Sequence, residues 1–569
     1  MPSAYIQDYS FRSVLHVVVS PISIRIRRPW AVYPLVLTLA GCDAVADLSQ
    51  FDEARLSTPP VGEVDAGRAD GSTHADDAGH ADGAVRAIDA AYEAAADATS
   101  VVDSAAVVVD AAPDVLLEAT ADAAPVVDAM AMEAAPPPPP TGTVVVDPTT
   151  VYQTIDGFGA SDVFLSSITS QQMRLFYDPA EGIGLSILRV GIDTDGEGLG
   201  TALLSDIATA ASYGAIVWGA PWSPPGTEKT NGNEDNGGYL CTAADAGSCA
   251  GDSSDAWAST LASFPGWVYS QTGVSVYAIS PQNEPDWTAS YASCLYTGQE
   301  LANFAKVLAP KLAALNPPVK VIAGEPASWA NLWTGDGTCA SANDYGACIH
   351  ADPVAEAAVD ILATHDYGFA PVAPPAWNIH RIWETEVSGV SGSSQVGPSV
   401  DIGNGVAVAT WIHNALVVGQ VSAWHYWWLV SSSATDNEGL LFPTGQGPGG
   451  LGDINSPPKR LYAMGNYSKF VRPGFQRIAA TGTNAAGIDI SAFQNPADST
   501  IVVVAINTTS APISLTFTTP GTANATTAMT PWVTSAASNL VAGSPIPVTD
   551  GSFVGTMEGE SVTTFVGSH

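Results

Sequence analysis

The sequence predicts an α/β fold: a (β/α)8 TIM barrel followed by a C-terminal antiparallel side β-domain. Three observations carry this expectation. Between Thr143 and Phe475 eight short apolar runs alternate with helix-like segments, the pattern of parallel strands joined by crossover helices. Polar and aromatic residues recur where each run stops, at the end where barrel sites are built. After Pro473 the helical pattern ceases, and short alternating runs follow one another across turn residues, as in a small antiparallel β-domain.

The elements follow in chain order. Residues 1–42 read as an export signal: Arg25, Arg27 and Arg28 are basic, an apolar stretch runs over 29–39, and Leu39-Ala40-Gly41-Cys42 ends it. The stretch is too short to cross a bilayer as a retained helix. It resembles a bacterial lipoprotein signal, which implies cleavage before Cys42 and lipidation of its sulfur. Residues 43–142 lack periodicity and carry prolines at 136–140. Such a segment buries too little apolar surface to offset its ordering entropy, so it reads as a disordered acidic tether, stiffest at its proline end. The expected location is outside the cytoplasm: anchored at the cell surface or in the periplasm by the lipid alone, or released.

Charge narrows the partners. The chain has 569 residues, 57 acids, 19 bases and a net charge of -38, and residues 43–140 alone hold 20 acids and three bases. Such an anionic chain repels phosphate backbones, so no nucleic-acid partner is expected. The remainder combines low charge with most of the 15 Trp, a character common in proteins that grip neutral polymers. The expected state is a monomer.

The barrel is placed at 143–475, with strands at 154–159, 186–192, 215–222, 276–279, 319–323, 360–363, 381–385 and 423–429, and the side β-domain at 476–569. Residues 143–150 precede the first barrel strand and are candidates to pair with the side domain. The strand exits read Asp162, Arg189, Trp222, Asn283 with Glu284, Glu325, His365 with Tyr367, Glu386, and Trp427 with Trp428. This is a ring of groups suited to holding a sugar. Glu284 follows the fourth strand and Glu386 ends the seventh, so the two face one another across an eight-stranded barrel. Glycoside hydrolysis needs such a pair: one carboxyl protonates the leaving oxygen while the other attacks the anomeric carbon or activates water. Asn283 can bond a sugar 2-hydroxyl, Arg189 can favour an ionised Glu386, and Tyr367 can hold a neighbouring carboxylate. Trp222, Trp427 and Trp428 are stacking candidates, one of the last pair facing the site and the other packing. His365 reads equally as a support of the site or a structural histidine, Asp162 as a polar support, Glu325 as a support or structural acid, and Lys229 and Arg460 as structural, though either could contact substrate. The bland reading of Glu284 alone is a solvated loop acid; its strand context and Glu386 argue otherwise.

These residues lie in "QTIDGFGAS", "SILRVGID", "APWSPPGTEKTNG", "YAISPQNEPDW", "HDYG", "WETEVS", "IHNALVVG" and "KRLYAMGNYSKFVRPG", with "WVTSAASNL" and "SVTTFV" later in the chain. Together they resemble glycoside hydrolase family 30, in its bacterial endo-β-1,4-xylanase and glucuronoxylanase branch. The resemblance implies a retaining endo-hydrolase of plant β-polysaccharide, most simply β-1,4-xylan, with Glu284 as acid/base and Glu386 as nucleophile. Endo-β-1,6-galactan and other β-glycans stand as alternatives, and a non-catalytic carbohydrate-binding lipoprotein as a reading of another class. Two departures matter. Glu384 stands where the family usually has Met; strand parity places it in the interior beneath Glu386, where it needs a partner or a proton. The glucuronate-dependent branch carries a paired Arg after the strand-eight tryptophans, where this chain has Ser431, Ser432 and Ser433. Strict glucuronate dependence is therefore not expected.

Five cysteines follow Cys42. Cys241 with Cys249 and Cys339 with Cys348 would close short loops and leave Cys294 odd, but spacing alone does not set the pairing. No spacing matches a zinc pattern, and no metal or cofactor is expected.

Overall fold

The computed structural model describes residues 24–25, 34–35 and 137–568, apart from 166–167, 201–202, 246–248, 334–336, 390–398, 433–436, 444–455, 483–484 and 520–525. In the N-terminal unit Ile24–Arg25 pairs antiparallel with Pro34–Leu35. Otherwise the export signal, Cys42 and the tether as far as residue 136 lie outside the described residues.

The first long strand, β1 (Thr143–Thr154), belongs to the side domain, and the barrel begins with β2 (Gly157–Ser161). There follow α1 (Ser170–Tyr177), β3 (Ile187–Ile192), α2 (Leu203–Ser212), β4 (Ile216–Pro221), α3 (Ser254–Thr272) and β5 (Ala278–Ile279). The second half runs α4 (Gly298–Ala313), β6 (Lys320–Gly324), α5 (Tyr345–Ala351), α6 (Pro353–Ala358), β7 (Ile361–His365), β8 (Arg381–Glu386), α7 (Ile402–Val417) and β9 (Ala423–Val430). Each strand of the run β2 to β8 pairs parallel with the next, and β9 pairs with both β8 and β2, which closes the barrel. A short β10 (Gly439–Leu441) extends β9, and α8 (Lys459–Ser468) completes the ring.

Local chemistry explains the element ends. Thr169 and Gln172 form a capping box at the start of α1, as do Thr297 and Glu300 at α4, so the first orphan N–H groups of each helix are satisfied by side chains. Helix α3 stops at Gly273, whose φ of 74° lies in the left-handed region. The barrel strands are apolar on both faces because both are covered. One cluster fills the layer between strands and helices, with Phe158, Leu188, Val190, Trp329 and Trp424 among its members. The other fills the interior, where Ile187, Trp218, Ala278, Ile322, Ile361, Trp383 and Ala423 meet.

The side domain comprises β11 (Gln476–Gly482), β12 (Ile488–Gln494), β13 (Ile501–Asn507), β14 (Ile513–Thr518), β15 (Ala528–Thr534), β16 (Val541–Ala542), β17 (Ile546–Pro547), β18 (Ser552–Met557) and β19 (Ser561–Ser568). Their order is β16-β15-β19-β13-β12-β11-β1-β14-β18, with β17 on β15. Thus β1 is an internal strand of this sheet, antiparallel to β11 and parallel to β14. One face of the domain joins the barrel core through Phe493, Val502, Val504, Ile506 and Val562. Polar contacts add to it: Asn466 in α8 donates to the Trp532 carbonyl and to Thr564 Oγ1, each at 3.0 Å, and Thr564 donates back to the Asn466 carbonyl. Cys241–Cys249 and Cys339–Cys348 form disulfides, and Cys294 is a buried free thiol.

Asn466→Ala leaves the Trp532 carbonyl and the Thr564 hydroxyl short of a buried partner. It should cost about 1–3 kcal/mol, read as a lower midpoint in urea unfolding.

Candidate active site

Six strand exits converge on one buried charge network. Arg189, at the middle of β3, is fully buried inside the barrel. Its Nη2 donates to Asn283 Oδ1 at 2.5 Å and to Glu325 Oε1 at 3.2 Å, and its Nη1 donates to Glu386 Oε2. The guanidinium lies 5.2, 5.0 and 5.6 Å from the ring centroids of Trp218, Trp222 and Trp427. Three indoles therefore wrap the cation while three side chains from other strands take its N–H groups.

His365, at the end of β7, is the second cationic member. Its Nδ1 is 3.1 Å from Glu284 Oε1 and 3.9 Å from Glu386 Oε1, and its Nε2 is 3.6 Å from Glu325 Oε1. Burial disfavours the imidazolium, but Glu386, Glu284 and Glu325 overcome that and raise its pKa to about 10. A doubly protonated ring presents two donors and no lone pair, so the cluster of Glu284, His365 and Glu386 is built as an ion-pair network rather than as a cation's donor set. Tyr367 Oη donates to Glu386 Oε1 at 2.9 Å. Burial lifts the Glu386 carboxyl above its ordinary value against the pull of His365 and Arg189, and Glu284 reinforces the rise. Glu325 moves the other way: Arg189 and then His365 outweigh its burial and hold it below the ordinary range.

The backbone carries strain at the same place. Glu284 and Glu325 have φ of 42° and 48°, a region L-residues seldom enter. Each is held by the neighbouring strand exit: the Glu284 N–H donates to the Glu325 carbonyl at 3.1 Å, and the Glu325 N–H to the Ala363 carbonyl at 2.7 Å. Asp286 ties the same two loops, accepting from the Ala327 N–H and from Asn331 Nδ2. A ligand oxygen of Glu284, one of Glu386 and a ring nitrogen of His365 all lie within 4.8 Å of one another.

Not every expected residue joins this group. Asp162 is buried, both its carboxylate oxygens lack hydrogen-bond partners, and burial first and Asp206 of α2 second hold its carboxyl well above the ordinary range. Trp427 packs against the interior cluster beside Trp222, at 5.9 Å, whereas Trp428 is buried behind it and stacks on it at 4.9 Å. Lys229 donates to the Glu234 and Ser293 carbonyls, and Arg460 to the Gly439 and Ser399 carbonyls, so both cations serve structure. Ser431 is buried and accepts the Gly439 N–H; Ser432 is exposed, and Ser433 lies outside the described residues.

The largest correction concerns Glu384. The register of β8 against β7 shifts between Glu384 and Glu386, a bulge that re-aims the following side chain. Trp383 faces the barrel interior, Glu386 reaches Arg189, and Glu384 turns to the outer layer, where Trp329 Nε1 donates to its Oε2 at 3.0 Å. Sequence reasoning also missed Phe164 and Tyr291. Phe164 is about half exposed, with φ of 64°, and sits edge-on to Trp222 at 5.2 Å. Burial and then Glu284, Glu386 and Glu438 raise the Tyr291 hydroxyl above its ordinary value, which puts it in the field of the carboxylates. Both lie in loops, Phe164 after β2 and Tyr291 after β5, beyond the motifs that mark those strand exits.

Residues 208–442 match O-Glycosyl hydrolase family 30, and residues 474–565 match the glycosyl hydrolase family 30 beta sandwich domain, together more than half of the chain. The chain belongs to glycoside hydrolase family 30. A family 30 relative, Glucuronoxylanase XynC of Bacillus subtilis, is 29% identical over 432 residues, which span 73% of this chain and 89% of that protein. The subfamily 8 xylanase Xyn30A from Clostridium acetobutylicum shares the fold with a TM-score of 0.60 and 27% identity, over 75% of this chain and 100% of that one. An endoxylanase of the same family from Clostridium papyrosolvens C71 gives 0.59 and 28%, over 75% and 100%.

The pH dependence of stability tests the state of His365. A pKa raised from 6.5 to about 10 gives stabilisation that is complete below pH 6.5 and is lost as pH rises through 10. The difference in Tm between wild type and His365→Gln should be largest near pH 6 and shrink steadily toward pH 10.

Proposed function

We propose that the protein is a retaining endo-glycosidase of plant β-polysaccharide, acting on β-1,4-xylan without strict dependence on glucuronate. Glu386 is the nucleophile and Glu284 the acid/base. The observation that carries this reading is the closeness of the two carboxyl groups, one oxygen of each lying within 4.8 Å of the other. Retaining enzymes keep the two carboxyl groups about 5–5.5 Å apart, whereas inverting ones leave about 6.5–9.5 Å for a water.

In this mechanism Glu386 attacks the anomeric carbon while Glu284 gives its proton to the departing oxygen. Water then enters from the vacated side, Glu284 takes a proton from it, and the glycosyl ester to Glu386 is broken with a second inversion. Arg189 and Tyr367 hold one oxygen each of Glu386, which leaves the carboxylate a fixed direction of attack. Asn283, anchored by Arg189 at Oδ1, keeps its amide N–H groups for a sugar hydroxyl. Trp222 and Trp427 supply the apolar wall.

The substrate rests on the relatives, whose names are those of xylanases and a glucuronoxylanase. From Trp427 to Glu438 this chain has no Lys or Arg, hence no cation there to pair with a glucuronate. Among the described residues no helix is long and apolar enough to cross a membrane. Export with anchoring at Cys42 is proposed from the N-terminal pattern, and two disulfides suit an oxidising compartment. The working state is proposed to be a monomer.

Glu386→Ala should abolish turnover, and azide should restore it with an inverted glycosyl azide as product. Glu284→Gln should keep activity chiefly on aryl glycosides whose leaving group needs no proton; wild-type rates on polymer would overturn the assignment. Rates on glucuronoxylan and unsubstituted xylan should differ by less than about tenfold, or about 1.4 kcal/mol.

A further inference from the structure

The outer face of β8 holds an acid that the mechanism does not use. Glu384 is fully buried. Oε2 accepts from Trp329 Nε1, while Oε1 is buried with no hydrogen-bond partner. The groups that face it are Trp329 from the turn after β6, Trp424 from β9, and Asp366 and His365 from the end of β7. The cation among them, His365, already has three carboxylates around it. An ionised carboxylate with only the neutral indoles of Trp329 and Trp424 beside it on this side carries a large desolvation cost. Burial first and Asp366 second hold the Glu384 carboxyl well above its usual range, and burial raises Asp366 to about 7.

The backbone links this pair to the reacting centre. The Asp366 N–H donates to the Glu386 carbonyl at 3.1 Å. The Glu384 carbonyl accepts from His425 Nδ1 at 2.9 Å, while His425 Nε2 accepts from Trp218 Nε1 at 3.2 Å. Both bonds of the imidazole are thus used by the neutral ring, whose burial drives its pKa down to about 3. The bulge that turns Glu386 inward is therefore pinned on one side through Glu384 and on the other through Asp366. Repulsion between these two acids would act directly across it.

We propose that Glu384, buried on the outer layer against Trp329 and tied through its carbonyl to His425, is a positioning residue that holds the β8 bulge and so the aim of Glu386, and that negative charge on Glu384 and Asp366 together loosens it. The inference rests on Glu386 being the nucleophile. It adds an alkaline control point separate from the two carboxylates that touch substrate. The pair titrates as a unit, so its protons leave in two steps shared between the acids.

The test compares wild type, Glu384→Gln and Asp366→Asn in kcat/KM from pH 5 to 9, on whichever β-glycan the wild type cleaves best, so a wrong sugar does not count against the brace. Gln keeps the acceptor for Trp329 and cannot ionise; Asp366 is half-buried, so Asp366→Asn serves if Glu384→Gln fails to fold. Each variant should retain at least about tenfold more of its pH 6 activity at pH 9 than wild type does, a shift of about one pH unit in the alkaline limb. In parallel, Tm should separate in a fixed direction. Acids with raised folded pKa values contribute stability at low pH and lose it as pH rises toward those values, so wild type should fall relative to both variants between pH 5 and 8. Alkaline limbs that superimpose on wild type would overturn the positioning role even if Tm separates. Parallel Tm curves would overturn the paired ionisation. Glu386→Ala with undiminished turnover would instead remove the nucleophile assignment beneath it.

Discussion

The barrel's organisation depends on the burial of one cation. Arg189 is fully buried, and taking such an ion from solvent costs several kcal/mol that ion pairs and hydrogen bonds must offset. The offset comes from three other strand exits, through Asn283, Glu325 and Glu386, while Nε is buried without a hydrogen-bond partner. Satisfying one guanidinium therefore fixes the relative positions of β3, β5, β6 and β8 at their catalytic ends. His365 performs the complementary task. With Arg189 it places two positive charges among three carboxyl groups.

Strain follows from the same demand. Glu284 and Glu325 both adopt left-handed backbone at the ends of adjacent strands. A glycine would relieve the conformation and lose the carboxylate. The cost, of order 1–3 kcal/mol for each residue, persists because the surrounding hydrogen bonds over-determine it: each strained N–H is taken by the next strand exit. The conformational cost and the electrostatic gain are located in the same two residues.

Much of this was legible in the amino-acid order. The eight barrel strands were placed within about three residues, since burial on both faces writes a strand as a short apolar run between turns. The pairing of residues 143–150 with the side domain was anticipated, and β1 runs on to Thr154. Glu284, Glu386, Asn283, Arg189, His365 and Tyr367 come together as the strand exits suggested. What failed depended on direction rather than position. Glu384 was placed inside because residues two apart share a strand face, but one bulge inverts that rule and leaves no compositional trace. Asp162 stands at a strand exit and yet makes no hydrogen bond to the charge network. Trp427 and Trp428 were known to diverge, but which one meets the interior is set by the register shift of β9 against β2. The weight of Glu325 comes from its contacts with two cations, which only three-dimensional closure creates.

The placement of β1 has a consequence for how the molecule is made. This strand leaves the ribosome before any of the barrel, yet its partner β11 lies more than 300 residues later in the chain and β14 later still. Until those strands exist, β1 is a long unpaired edge beside a barrel still being synthesised. Ordering it must await the closure of a loop that contains the entire barrel, a non-local pairing of the kind that slows folding. The side domain can be completed only at the end of synthesis, and until then the edge of β1 stays open.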